Sequence, residues 1–322
     1  MLREVTYSAL TGQLVALGRL LDRDGYAFCT PTPDTHRRVL ARPLFGADSL
    51  REVFGWNRPF QPQQLSEAYH VFLANEDIFE PLKDGRFRSR IRFSRLAELL
   101  LAHSGYPTQE NDAVFFGPDT YRFAHAIQAL RDREPGFSPS TCVDIGAGSG
   151  AGGLFCATLF PSLSCVGLVD INHRALAFAA ANSALNGIPV ASPQMGDVLK
   201  SWPGDADLII SNPPYLVDSA SRVYRNGGGD WGASLPVRIL REALDRLGRD
   251  GHLLLYTGSA IVAGQDKFLE AARPILEMRT VQYRYDESDP DVFGEELEKP
   301  PYDQADRIAT AVLHVKGSDI KR

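Results

Sequence analysis

Cysteine is scarce in this 322-residue chain, and the four that occur, Cys29, Cys142, Cys156 and Cys165, form no Cys-x-x-Cys and no Cys/His spacing of the kind that holds a metal. Three of them lie in apolar segments, so buried free thiols are expected, with no disulfide framework and no metal centre. Long hydrophobic runs are missing too: none approaches the roughly 20 residues of a membrane span. The start, "MLREVTYSALTGQLVALGRLLDRDG", alternates at helical spacing and does not form a signal peptide, so a cytoplasmic protein is expected. A strong charge of one sign is also absent. Residues 1–140 carry 17 Lys+Arg against 17 Asp+Glu, and the whole net charge of -6 arises in residues 141–322, with 17 against 23. That balance gives no sign of a general nucleic-acid binder. There is no internal repeat and no low-complexity segment, and the length accommodates two domains.

What is present changes character at "RDREPGFSPSTC", Arg131 to Cys142, where Pro135, Gly136 and Pro139 separate a helix-like stretch from the strand "TCVDI". After it, apolar strands alternate with helical patterns. "TCVDI" leads to a glycine-rich turn and a helix, "SCVGLVD" to "NHRALAFAAANSALNG", and "DLIIS" follows a short strand near Pro189–Met195. "PVRILREALDRLGRDG" is amphipathic and precedes "HLLLYTG". Such alternation predicts an α/β fold, a parallel sheet with helices on both faces. Before the break, residues 8–75 read as mostly helical, with Leu14, Leu17, Leu20 and Leu21 on one face, and residues 78–117 as short strands and turns. We expect an N-terminal recognition domain over 1–110 and a second domain over 111–322.

"VDIGAGSGAGGL" places Gly146, Gly148 and Gly150 directly after a buried strand and at the start of a helix, where glycine lets backbone approach a ligand beside helix N-terminal amides. The same spacing satisfies a dinucleotide fingerprint, so two cofactor classes are open at this point. Asp170 ends the next strand, 24 residues beyond Gly146, where a carboxylate can accept from both hydroxyls of a ribose. Its structural alternative is a helix N-cap. Asp197, in "MGDVLK", ends the third strand, placed to accept from an adenine amine, and the fourth strand ends in "SNPPY".

The ordered set "DIGAGSG", "GLVD", "GDVLK" and "LIISNPPY" resembles the class I S-adenosylmethionine-dependent methyltransferases with an NPPY signature, over about residues 113–260. The resemblance implies a Rossmann-like seven-stranded methyltransferase sheet behind a smaller, mainly helical N-terminal domain that ends in short strands. It implies S-adenosyl-L-methionine as cofactor, with Asp144, Gly146, Gly148 and Gly150 lining its methionine part, Asp170 its ribose and Asp197 its adenine. "FFGPDTYRFAHAI" resembles the segment such enzymes fold over the cofactor, adding Asp119, Thr120 and Tyr121.

Two consecutive prolines stop the strand by removing amide donors and fixing φ, which frees the Pro213 carbonyl to face the crevice beyond the strand ends. Asn212 adds a side-chain carbonyl. Two acceptors suit an sp2 nitrogen bearing two hydrogens, and Tyr215 would offer its flat face to a planar amide or base. The expected catalytic residues are thus Asn212, Pro213 and Tyr215, with Pro214 at the substrate. "NGGGDWGASLPVRIL" is similar to the glycine-rich segment of release-factor glutamine methyltransferases, which implies substrate contacts for Asp230 and Arg238.

Adenine-modifying enzymes also carry NPPY, and "KDGRFRSRIRFSR" supplies a matching surface. On one strand, Arg86, Arg88, Arg90 and Arg92 would share a face; neutralising ~4 phosphates gives a salt slope of about -3. The bland alternative is a solvated face, or pairing with acids in "YDESDPDVFGEELE". "KPPYD", with Tyr302, lacks the asparagine and reads as a loop. The leading expectation is methyl transfer to a planar amino nitrogen, a glutamine side chain of a release-factor-like protein ahead of adenine in RNA or DNA. The alternatives from other classes are a nicotinamide-dependent oxidoreductase and a non-catalytic binding module.

Overall fold

The computed structural model of the chain describes residues 2–43, 49–108, 110–218, 225–279 and 281–317. Its elements in chain order are α1 (Leu2–Arg23), α2 (Pro33–Leu40), α3 (Ser49–Phe54), α4 (Glu67–His70), β1 (Phe79–Pro81), β2 (Phe87–Ser89), β3 (Ile91–Leu96) and β4 (Leu99–Ser104). There follow α5 (Pro118–Arg133), β5 (Thr141–Ile145), α6 (Ala151–Leu159), β6 (Cys165–Asp170), α7 (His173–Leu185), β7 (Ala191–Met195) and β8 (Ala206–Ser211). The last are α8 (Ser234–Arg246), β9 (Leu247–Val262), β10 (Gln265–Asp266), α9 (Lys267–Arg279), β11 (Gln282–Asp289) and β12 (Arg307–Lys316).

Packing divides the chain into two compact units. The first comprises Met1–Tyr121, Gly148–Ala151 and His173–Pro189, and the second comprises Arg122–Ala147, Gly152–Asn172 and Val190–Arg322. The boundary expected near residue 110 therefore lies inside the first unit, because α7 and the end of the glycine turn pack with it. Its core joins Leu10, Leu14, Leu17 and Leu21 of α1 to Phe54, Phe79, Phe93 and Ala102 and to Ala175, Phe178 and Ala181 of α7. The α1 positions fall on one helical face, the spacing that buries a stripe. At Gly18 an added Cβ would stand 3.0 Å from Leu185 Cδ1, so glycine is what lets the two helices approach. β1 pairs with β2 and β3 with β4, as two separate antiparallel ribbons.

The second unit is built on one sheet in the order β11-β12-β9-β8-β5-β6-β7, with the two-residue β10 hairpinned onto β9. β7, β6, β5, β8 and β9 run parallel, and β12 lies antiparallel between β9 and β11, so that β11 again runs in the direction of β9. The inner strands are apolar and buried along nearly their whole length, as parallel strands covered on both faces must be. Pro193 sits in β7, at an edge of the sheet, where a missing amide is tolerated. The seven-stranded expectation holds. Strand order reverses between β5 and β8, a switch point whose crevice lies beyond the carboxyl ends of the strands. Among the described residues no helix is long and apolar enough to cross a membrane.

Candidate active site

The residues after β5, β6, β7 and β8 are the polar ones that the sequence singled out. β5 ends at Asp144 and Ile145, β6 at Asp170, β7 just before Asp197, and β8 at Ser211 with Asn212 following. Ser211 Oγ donates to the Ile145 carbonyl at 2.7 Å and so ties the ends of β8 and β5 together. Gly146 has φ 69°, a conformation that favours glycine, and its amide donates to the Val169 carbonyl at 2.8 Å. A Cβ at Gly146 would meet no atom within 4 Å, so its side-chain position is open space.

Asp144 is buried, and its Oδ2 accepts from the Gly153 amide at 2.8 Å in the first turns of α6. Burial pushes its pKa up to about 7, with the neighbouring Asp170 charge adding to the rise. Asp170 Oδ1 accepts from the Asn172 amide at 2.8 Å, the turn contact expected of a residue that precedes a helix. Asp197 is bound by Arg238 and by Lys200, which hold its carboxyl down at about 2. Two apolar side chains stand exposed beside these carboxylates, Ile171 at 54% and Met195 at 41%. Neither had been singled out, since a lone exposed aliphatic residue leaves no sequence signal.

The Asn-Pro-Pro-Tyr segment leaves the sheet with two acceptors uncommitted. Among the described residues, none donates a hydrogen bond to the Asn212 side chain or to the Pro213 carbonyl, and Asn212 is half-exposed. Tyr215 departs from expectation. It is only 7% exposed, with its ring near Phe293 and Tyr256 and over Gly258 of β9, where any Cβ would collide with it. Its face is spent on packing, and it holds the loop in place instead of presenting itself to a substrate.

The glycine-rich segment beyond it is a clamp on that loop. The Gly227 amide donates to the Leu216 carbonyl at 2.7 Å, and the Leu216 amide to the Arg225 carbonyl at 3.2 Å. A Cβ on Gly227 would stand 2.7 Å from Tyr215 Cα and 2.8 Å from the Pro214 carbonyl oxygen, and Gly232 presses equally close to the Tyr215 carbonyl. These glycines are needed for backbone-to-backbone approach. Asp230 is exposed at the turn between them, and Pro214 is half-buried. Tyr302 does sit in a short turn as expected, but it is buried, and its hydroxyl accepts from the Val217 amide at 2.9 Å and donates to the Trp231 carbonyl at 3.4 Å.

Arg238 was expected at the substrate. Its three guanidinium nitrogens are instead engaged by carboxylates: Nη1 and Nη2 by Asp197, at 2.8 Å each, and Nε by Glu242 at 2.8 Å.

The remaining expected residues belong to the first unit. Gly148 and Gly150 have φ 55° and 80°, and the buried Asn182 donates to the Ser149 carbonyl between them at 2.8 Å. Asn182 also accepts from the Ala102 amide at 2.7 Å and donates to its carbonyl at 2.9 Å, pinning β4; it had no motif to mark it. Asp119 and Thr120 are buried at the start of α5, and Thr120 Oγ1 accepts from the Gly117 amide. The Tyr121 hydroxyl accepts from the Thr30 amide at 3.0 Å, and burial raises its pKa.

The arginine face does not exist. The strand breaks at Arg90, between β2 and β3, so the alternation does not carry through. Arg92 is 4% exposed, donating to the Gly55 carbonyl and to His36 Nδ1 and lying 5.5 Å from the Phe28 ring centroid. Burial lowers its pKa to about 10. Arg86 pairs with Asp84 at 2.7 Å and Arg90 with Glu110 at 3.1 Å, while Arg88 is half-buried. The acids of residues 285–298 pair elsewhere, Asp289 with Arg122, Glu287 with Arg307 and Glu296 with Arg225. Of the cysteines, Cys142 and Cys156 are buried and free as expected, but Cys29 is exposed. Among the described residues no group of three or more His, Cys, Asp or Glu could hold a metal ion.

Residues 127–267 match the family described as methyltransferase small domain. The chain is 29% identical over 132 residues to methyltransferase HEMK2 of Mus musculus, covering 40% of this chain and 59% of that one. It is 30% identical over 187 residues to a release factor glutamine methyltransferase of Deinococcus radiodurans, covering 58% and 61%. It spans between about half and three fifths of the length of these relatives. A solved structure of Trm5b from Pyrococcus abyssi superposes with TM-score 0.48 at 17% identity, covering 74% of this chain and 62% of that one. The family match and the methyltransferase relatives set aside the dinucleotide reading of the glycines. Over residues 127–267 this chain is similar to the methyltransferase small-domain family, a likeness that supports S-adenosyl-L-methionine as cofactor.

Proposed function

We propose that this chain is an S-adenosylmethionine-dependent N-methyltransferase whose acceptor is the carboxamide of a protein glutamine. The observation that carries the reading is the pair of uncommitted acceptors, the Asn212 side-chain carbonyl and the Pro213 carbonyl, at the switch point of the sheet. Relatives named as release factor and ribosomal protein uL3 glutamine methyltransferases support the choice of acceptor. The loss of the arginine face removes the surface that would have favoured a nucleic acid.

The residues present fit the cofactor: the open position at Gly146, the carboxylates of Asp170 and Asp197, and the exposed apolar side chains of Ile171 and Met195. Within the second unit, Asp144 and Gly146 would hold its methionine part, Asp170 its ribose and Asp197 its adenine; for Gly148, Gly150, Asp119, Thr120 and Tyr121, in the first unit, the support is the sequence resemblance. When bound, it supplies an electrophilic methyl on a sulfonium.

Asn212 and Pro213 accept both N–H bonds of the acceptor amide. That geometry holds the nitrogen lone pair out of the plane of the two bonds and directs it into the crevice. The two bonds strengthen as positive charge develops on nitrogen, so they stabilise the transition state more than the ground state. The proton leaves to water afterwards, and no side-chain base is needed. Tyr215, Gly227, Gly232, Gly258 and Tyr302 fix the loop that carries both acceptors.

The test is transfer of labelled methyl from S-adenosylmethionine to the protein and nucleic-acid fractions of a methylation-deficient extract, with Asn212→Ala as control. Label in one protein band, absent with the variant, is expected. Label in RNA or DNA would overturn the acceptor, and no transfer to any fraction would overturn the activity.

A further inference from the structure

The loop that follows β7 is held in an unusual conformation by a ring of charges. Arg238, on α8, grips both oxygens of Asp197, Nη1 to Oδ1 and Nη2 to Oδ2 at 2.8 Å each. Its Nε bonds Glu242 Oε1 at 2.8 Å, one helical turn on, and Glu242 Oε2 accepts from the Leu199 amide at 3.4 Å. Asp197 and Leu199 are thus tied to the same helix, and the residue between them, Val198, has φ 55° with its side chain buried. A β-branched residue in the left-handed region is strained by about 1–3 kcal/mol and persists only when its surroundings over-determine it; such outliers gather at ligand sites. Two independent features, the bidentate clamp and the strained valine, converge on one carboxylate.

We propose that Arg238 is a positioning residue for the adenine end of the cofactor, fixing Asp197 as an oriented acceptor that selects an amine-bearing purine over an oxo purine. The inference rests on the function proposed above. An ionised carboxylate can only accept, and the exocyclic amine of adenine can only donate. The carbonyl of hypoxanthine in the same place would set acceptor against acceptor, which is discrimination by repulsion. Asp197 keeps capacity for this bond. Its Oδ1 takes one bond, from Arg238, and its side chain is still 43% exposed. A bidentate guanidinium also fixes the carboxylate plane, which the single ammonium of Lys200, 2.7 Å from Oδ2, cannot do.

The experiment is isothermal titration of the full chain with S-adenosylhomocysteine and, separately, S-inosylhomocysteine. The native protein is expected to prefer the adenosyl compound by about tenfold or more. Arg238→Ala should weaken S-adenosylhomocysteine binding by about tenfold and collapse the preference. Arg238→Lys, which keeps one charged bond, should fall between, and it stands as the readout if the alanine variant fails to fold. Adding Val198→Gly to Arg238→Ala should recover part of the affinity, because glycine adopts positive φ without a clamp. A folded Arg238→Ala with native affinity and native preference would overturn the inference and leave the proposed function standing. A native protein that binds neither compound would overturn the proposed function itself.

Discussion

Replacing Asp144 by asparagine should change how stability depends on pH, because this carboxyl is ionised far later in the folded protein than in the unfolded chain. Asp144 lies 2% exposed under α6 with one bond, from the Gly153 amide. Burial, and then the Asp170 charge, raises its pKa from the ordinary carboxylate range to about 7. As pH rises from about 4 to about 7 the unfolded chain sheds this proton and the folded protein keeps it, so the unfolded state binds fewer protons and stability falls. Above pH 7 the loss is complete and constant. A pKa near 7 in place of one near 4 corresponds to a ceiling of about 4 kcal/mol, and relaxation of the site brings the expected figure to about 2–4 kcal/mol. Asparagine keeps an acceptor for Gly153 and carries no charge at any pH. Urea unfolding of the cofactor-free protein, followed by circular dichroism, should find native and Asp144→Asn proteins within about 1 kcal/mol near pH 4.5, and the variant more stable by about 2–4 kcal/mol at pH 8. A difference that does not vary with pH would refute the reasoning, as would a variant less stable at pH 8.

Asn212→Ala should bind S-adenosylhomocysteine within about twofold of native while turnover falls by about 10²–10³, the usual loss for one transition-state hydrogen-bond partner; an equal loss of cofactor affinity would contradict the role given to it. Gly258→Ala should destabilise by about 1–3 kcal/mol, since the new methyl displaces the Tyr215 ring, and an unchanged melting temperature would show that the ring is free to move. The stacked pair His252 and His314, with ring nitrogens 2.7 Å apart, is kept neutral by burial, which lowers His252 and brings His314 to about 4. The unfolded chain protonates these groups near pH 6.5, so their contribution is present above that pH and lost as pH falls toward 4; His314→Gln should flatten that limb of the melting curve, and an unaltered slope would argue against it.

The sheet was legible because buried parallel strands advertise themselves as short apolar runs and because their carboxyl ends collect the chemistry: Asp144, Asp170, Asp197 and Asn212 all stand where their spacing put them. What escaped reading is long-range. Tyr215 buries its face against a glycine 43 residues later, and Arg238 reaches back 41 residues to Asp197, pairings that leave no local pattern. The arginine alternation misled for a different reason. A period of two holds only within one strand, and Arg90 donates its amide to Ile78 and accepts from Gly105 at the point where one ribbon ends and the next begins. Arg92 is then held by a carbonyl, an imidazole and a ring face, partners that an opposite-charge search does not find.

Helix α7 lies in sequence between two neighbouring strands of the parallel sheet, yet Ala175, Phe178 and Ala181 belong to the core that α1, β3 and β4 build. Its carbonyl at Ala177 accepts from Thr11, and its Asn182 grips β4. Modular exchange is therefore closed to this protein. A fragment beginning near residue 111 would carry α7 without the leucines that cover it, and the N-terminal residues without α7 would lack part of their own interior. A different N-terminal part could not be joined to the chain unless it brought a surface to match Phe178 and its neighbours. A change in the N-terminal part is therefore a change in the packing of α7 as well.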